Sequence, residues 1–263
     1  MSTQALDPKY NPFFARPKKS TNIKSMIAIV SGKGGVGKST ITSLLATHTQ
    51  RSGLQTAILD ADITGPSMGR MFGLRENPHG SEEGIYPAVT ASGIELISST
   101  MMLESEETPI LWRGPLIGNA VKEFYTEVFW GKVDVMFVDM PPGTGDVPLT
   151  VFQSLPLKGI ILVTTPQDLV SMIVSKAVSM AKKMNIPILG IIENMSYMEC
   201  EHCGERMYPF GKSKLEAFAE TYQIPILGKL PIHPEYNEMA DNGQVEGIVN
   251  EEFATIVSAL FRV

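Results

Sequence analysis

Gly32-Lys33-Gly34-Gly35-Val36-Gly37-Lys38-Ser39 decides the fold once its two flanks are read with it. Before it, Met26-Ile27-Ala28-Ile29-Val30 is a short, wholly apolar and partly β-branched run, the mark of a strand covered on both faces. After it, a helical pattern opens at Ser39 and runs to Arg51. Strand, glycine loop and helix in that order make a phosphate cradle. The glycines let backbone N–H groups turn inward, the helix N-terminus adds partial positive charge, Lys38 reaches the outer phosphates, and the Ser39 hydroxyl is available to Mg²⁺. The expected nucleotide contacts are Gly32, Lys33, Gly34, Gly35, Val36, Gly37, Lys38, Ser39 and Thr40. A plain glycine-rich turn does not explain Lys-Ser at this spacing, and the dinucleotide fingerprint spaces its glycines without that pair. The expected chemistry is therefore phosphoryl chemistry on ATP.

Outward from the loop, further short apolar runs occur at Thr56–Asp60, Ile94–Ser98, Val133–Asp139, Gly159–Thr164, Ile188–Glu193 and Ile226–Leu230. Helical patterns lie between them at Ser39–Arg51, Gly114–Phe129, Gln167–Met184, Lys212–Tyr222 and Glu251–Phe261. This alternation predicts an α/β fold, a mostly parallel twisted sheet with helices on both faces. Residues 1–24, with Pro8, Pro12 and Pro17 and no apolar periodicity, read as a flexible tail, and 25–263 as one domain. Phe72–Ala91, rich in glycine, proline and charge, reads as an irregular excursion. Leu169, Met172, Ile173, Ala177, Met180 and Met184 form a Met-rich stripe that is read as core rather than as a partner groove.

Nucleotide hydrolysis needs carboxylates for the metal and a group to orient water, and parallel strands deliver both at their C-terminal ends. Asp139 ends one such strand, and Asp60-Ala61-Asp62 ends another. Ser39, Asp60 and Asp139 are the expected Mg²⁺ set, with Asp62 on the water. The competing role for Asp60 or Asp62 is to cap a helix near Pro66. Asp146 is a secondary candidate, since Gly145-Asp146 before Pro148 also starts an ordinary helix. Lys33 is not required by the general loop pattern; it either reaches another subunit's nucleotide or is a solvated lysine beside the loop.

The chain has two cysteines, in Cys200-Glu201-His202-Cys203-Gly204. This spacing suits a metal or an iron–sulfur cluster, but such sites take four ligands. A two-fold dimer would pair two such loops and supply the missing thiolates. Cluster, structural zinc, redox dithiol and inert thiols all remain open on the residues alone. The net charge of −6 argues against nucleic acid or anionic membrane as a partner, no apolar run is long enough to span a bilayer, and residues 1–16 lack the apolar centre of a secretory signal, so a cytoplasmic protein is expected.

The motifs together resemble the Mrp/ApbC family of ATP-dependent iron–sulfur cluster carriers, within the deviant-Walker P-loop NTPases that include MinD, ParA and the nitrogenase iron protein. The resemblance rests on Ser31–Thr40, Leu59–Ser67, Leu111-Trp112-Arg113-Gly114-Pro115, Val138–Asp146, Glu193-Asn194-Met195-Ser196 and the Cys-x-x-Cys. It implies a homodimeric ATPase with slow, dimer-dependent turnover that carries a [4Fe–4S] cluster on Cys200 and Cys203 from cluster donors to apoproteins. It also implies that Lys33 acts with Lys38 and Asp62 in catalysis by crossing to the partner's nucleotide, and that Asn194 contacts the base. A MinD- or ParA-like positioning ATPase with zinc at the dimer's cysteines is the alternative. Against it, Asn250–Val263 begins acidic and lacks a basic membrane-binding face.

Overall fold

The computed structural model describes residues 14–18, 21–63, 65–74, 80–81, 84–99, 114–167, 172–200 and 202–261. Pro8, Pro12, Leu111, Trp112, Arg113, Leu169, Glu201 and Val263, all named above, lie outside the described residues, as does Thr64 within Leu59–Ser67.

The first half of the chain runs β1 (Asn22–Ser31), α1 (Lys38–Arg51), β2 (Thr56–Asp60), a short α2 (Met68–Met71), then β3 (Gly80–Ser81), β4 (Gly84–Ile85), β5 (Ala88–Val89), β6 (Glu95–Ile97) and α3 (Gly114–Thr126). The second half runs β7 (Lys132–Asp139), α4 (Asp146–Ser154), β8 (Gly159–Thr164), α5 (Met172–Lys183), β9 (Ile188–Glu199), β10 (Arg206–Met207), α6 (Leu215–Tyr222), β11 (Ile226–Pro231), α7 (Pro234–Asp241) and α8 (Glu251–Phe261). The main sheet has the order β10-β9-β8-β1-β7-β2-β6-β5, with β11 also paired to β9. Every pairing in it is parallel except β10 with β9 and β5 with β6.

Alternate residues of the central strands feed two separate cores. Met26, Ala28 and Val30 face one way, with Met136 and Val138, against Val121 and Phe124 of α3 and Val174 and Val178 of α5. Ile27 and Ile29 face the other way, with Phe137 and Ile161, against Leu44 and Leu45 of α1 and Phe253 and Val257 of α8. Covering both faces is why these strands read as unbroken apolar runs rather than alternating ones. Of the Met-rich stripe, Ala177 is core, and Met180 and Met184 pack against that core.

Two boundaries differ from the sequence reading. β1 begins at Asn22, inside the expected 1–24 tail, because β7 extends back to Lys132 and pairs with it. Further back, the Ala15 N–H donates to the Ser154 carbonyl at 2.9 Å and its side chain is buried. β9 runs on to Glu199 instead of stopping at Glu193, since β10 and β11 both pair with its outer half. Part of the Phe72–Ala91 excursion is ordered as β3–β4, an antiparallel pair, and β5, which lies on β6.

Candidate functional site

The phosphate loop leaves β1 at Ser31 and enters α1 at Lys38. Gly35 and Gly37 take left-handed φ values of +79° and +80°. At Gly37 an added Cβ would also run into Nδ2 of Asn194, which would have to move. That amide donates to the Val36 carbonyl at 2.9 Å, so Asn194 braces the loop from β9.

Below the loop, Asp60 on β2 and Asp139 on β7 are register partners, both essentially without solvent exposure. Lys38 Nζ lies 2.7 Å from Oδ2 of Asp139 and is itself buried. Ser39 donates to the same oxygen at 2.6 Å, and Thr42 donates to Oδ1 at 2.7 Å. A buried ion pair offsets its desolvation only when its remaining lone pairs are satisfied in this way. Asp60 accepts from Ser98 at 2.9 Å and from the Asp62 N–H at 3.1 Å. Burial, and then the Asp139 carboxylate, pushes the Asp60 carboxyl up to about 7, against the pull of Ser98, Lys38 and the Asp62 N–H. Two buried carboxylates beside one lysine leave an excess of negative charge among hard oxygen donors. This donor set of Ser39, Asp60 and Asp139 fits Mg²⁺.

A cleft of about 290 Å³ opens above these groups, lined by Lys33, Gly34, Gly35, Gly37, Lys38, Ser39, Thr40 and Asp62 among others. Lys33 is exposed at it and Asp62 half-buried. Neither Asp60 nor Asp62 caps a helix, for α2 starts only at Met68, with Ser67 as its cap. Asp146 sits in the first turn of α4, exposed, and is not among the cleft-lining residues. The loop after β7 is tied to the phosphate loop by its backbone, Gly143 N–H to the Ser31 carbonyl at 2.9 Å. Sequence reasoning missed Thr42 and Ser98. Thr42 sits one helical turn beyond Lys38, on the face of α1 that already turns toward Asp139, and that spacing was the available signal. Ser98 had no signal beyond following β6.

The cysteines lie at the tip of the β9–β10 hairpin rather than in an open loop. Met198 pairs with Met207 and Glu199 with Arg206. The tip is closed by Cys200 N–H to the Glu205 carbonyl at 3.0 Å and Gly204 N–H to the Cys200 carbonyl at 2.8 Å, with Gly204 at φ +70°. Cys200 is half-buried, Cys203 exposed, and neither is in a disulfide. Among the described residues no third histidine, cysteine or carboxylate joins them in a metal-binding group. No helix among the described residues is long and apolar enough to cross a membrane.

Known proteins resemble this chain over most of its length. An iron–sulfur cluster carrier protein of Clostridium perfringens is 44% identical over 238 residues, covering 88% of this chain and 84% of that protein. One from Methanocaldococcus jannaschii is 41% identical over 246 residues, covering 91% and 85%. Among solved structures, a nucleotide-binding protein from Archaeoglobus fulgidus in complex with ADP is 41% identical, with a TM-score of 0.78 over 88% of this chain and 91% of that one. The Pyrococcus furiosus cell division ATPase MinD, 20% identical with a TM-score of 0.65 over 90% and 98%, shares the fold. The family model described as "ParA: NUBPL iron-transfer P-loop NTPase" matches residues 22–262, and the chain belongs to that family of iron-transfer P-loop NTPases.

Proposed function

We propose that the chain is a homodimeric ATPase that carries a [4Fe–4S] cluster between its two subunits and passes it from cluster donors to apoproteins in the cytoplasm. The observation that carries this reading is the pair of thiols at the tip of the hairpin, without a third ligand among the described residues. Two thiolates per chain, set on an accessible tip, are half of a four-thiolate site, which a two-fold partner completes. The same chemistry suits zinc, and metal analysis separates the two.

At the nucleotide end, Gly32 to Thr40 hold the phosphates, while Ser39, Asp60 and Asp139 hold Mg²⁺. Lys38 neutralises the outer phosphates, Asp62 orients the attacking water, and Asn194 meets the base at the edge of the loop it braces. Lys33, exposed at the cleft, crosses to the partner's nucleotide. Turnover is slow because the site is complete only in the dimer. ATP thereby controls cargo rather than being the point of the reaction.

Protein isolated anaerobically is expected to contain iron and acid-labile sulfide at about one cluster per dimer. Cys200→Ser/Cys203→Ser is expected to lose the cluster absorbance and keep nucleotide binding. Zinc alone in the isolated protein, or absorbance retained in the pure double variant, would overturn the cluster assignment.

A further inference from the structure

Between the phosphate loop and the cysteine hairpin lies a short stretch of β9 with three unusual features. Asn194 touches the loop directly, through the Val36 carbonyl. Met195 has φ +56°; among the described residues the other non-glycine ones with positive φ, Asn185 and Gln223, follow the ends of α5 and α6, whereas Met195 lies within a strand. The register against β11 also slips here. Lys229 faces Glu193, yet Pro231 faces Tyr197, so β9 bulges between them.

Glu193 holds that bulge. Its carboxylate is fully buried and accepts from Ser196, across the bulge, at 2.6 Å, and from Ser213, in the segment after the hairpin, at 2.8 Å. Ser213 in turn accepts from the Leu215 N–H at 3.0 Å, which ties it to the start of α6. One buried carboxylate thus clamps the bulge to the strand before it and to the chain returning from the hairpin. The bulge borders a cleft of about 450 Å³, lined in part by Ser196, Tyr197, Arg206, Tyr208 and Ser213. The bulge therefore has open volume on its Ser196–Tyr197 side into which to shift, which a segment inside a packed core does not.

We infer that Glu193 is a positioning residue that carries the nucleotide state of the phosphate loop into the cysteine hairpin. Asn194 moves with the loop, the bulge at Met195 absorbs or passes on that movement, and the Glu193 clamp makes Tyr197–Glu199 and the Ser213 segment follow together. This rests on the nucleotide control proposed above and adds the residues through which it acts. A coupling of this kind needs an element with two arrangements that both sites bias, and the bulge supplies it.

The test uses the cluster-free, reduced full-length protein. Iodoacetamide alkylation rates of Cys200 and Cys203 are followed by mass spectrometry with Mg·ATP, with Mg·ADP and without nucleotide. Light scattering selects concentrations at which all variants show the same oligomer distribution. In the wild type the rates with Mg·ATP and without nucleotide are expected to differ about fivefold or more, the low end of typical couplings. Glu193→Gln and Ser213→Ala are expected to bind a fluorescent ATP analogue as the wild type does and to react at a rate independent of nucleotide. If Glu193→Gln does not fold, Ser213→Ala carries the test alone. A wild type with no nucleotide dependence overturns both the coupling and the nucleotide control beneath it. Nucleotide dependence retained in the folded variants overturns the Glu193 path and leaves that control standing.

Discussion

Asp139 has no idle oxygen: Lys38 and Ser39 share Oδ2, and Thr42 holds Oδ1. Thr42→Val keeps the shape of the side chain and removes one donor to a buried carboxylate. It is expected to cost about 1–3 kcal/mol in chemical denaturation and to weaken Mg·ATP binding; unchanged stability would show that the Thr42 contact is dispensable. His48 offers a second measurement. Its Nδ1 lies 2.8 Å from the Leu44 carbonyl and its Nε2 accepts from the Asn250 N–H at 3.1 Å, which fixes the neutral tautomer. Burial lowers its pKa below the ordinary histidine value of about 6.5, against the Leu44 carbonyl and with help from Arg51. The unfolded chain therefore binds the proton more readily. The stabilisation from neutral His48 is complete above about pH 6.5 and is lost as pH falls through the folded value. Unfolding free energy measured from pH 7.5 downward is expected to fall more steeply below about pH 6.5 in the wild type than in His48→Gln. Parallel curves would remove His48 as the cause.

At the scale of elements, the central strands were legible because burial on both faces leaves a run of apolar residues with an aspartate at its mouth, as in Val133–Asp139. The ends of β1 and β9 were not legible. Asn22-Ile23-Lys24-Ser25 and Ser196-Tyr197-Met198-Glu199 are mixed in polarity, and they are strand only because β7, β10 and β11 pair with them. The loop glycines were legible as a pattern, but the reason for Gly37 was not, since it depends on a β9 residue far away in sequence. Gly37→Ala forces an alanine into a left-handed conformation, at about 1–2 kcal/mol, and drives its Cβ against Asn194. The two costs separate in a double-mutant cycle. Asn194→Ala is expected to recover the steric part of the Gly37→Ala loss in thermal unfolding and to leave the conformational part. Strictly additive losses would mean that the contact with Asn194 imposes nothing.

At the scale of the whole molecule, the proposed homodimer is what would complete both the cluster site and the nucleotide site. The hairpin presents two thiols where a cluster takes four ligands, and Lys33 stands exposed at a cleft already served by Lys38. One sequence cannot say which chain's nucleotide Lys33 serves, because the same residue fits either site until a second copy is present. Mixing resolves it. Lys33→Ala removes the lysine, and Asp62→Asn removes the carboxylate proposed to position water while leaving the phosphate loop intact, so each variant alone is expected to turn over ATP poorly. If Lys33 crosses the dimer, a mixed dimer has one whole site: the Lys33→Ala protomer keeps its own Asp62 and receives Lys33 from its Asp62→Asn partner. Random exchange at equal concentrations makes half of the dimers mixed, with one working site in two, so the mixture is expected to recover about a quarter of wild-type turnover. If Lys33 serves its own chain's nucleotide, both sites of the mixed dimer are broken and the mixture stays as slow as its parts. In the crossing arrangement the recovered rate also falls on dilution, since the working site exists only while two chains are together.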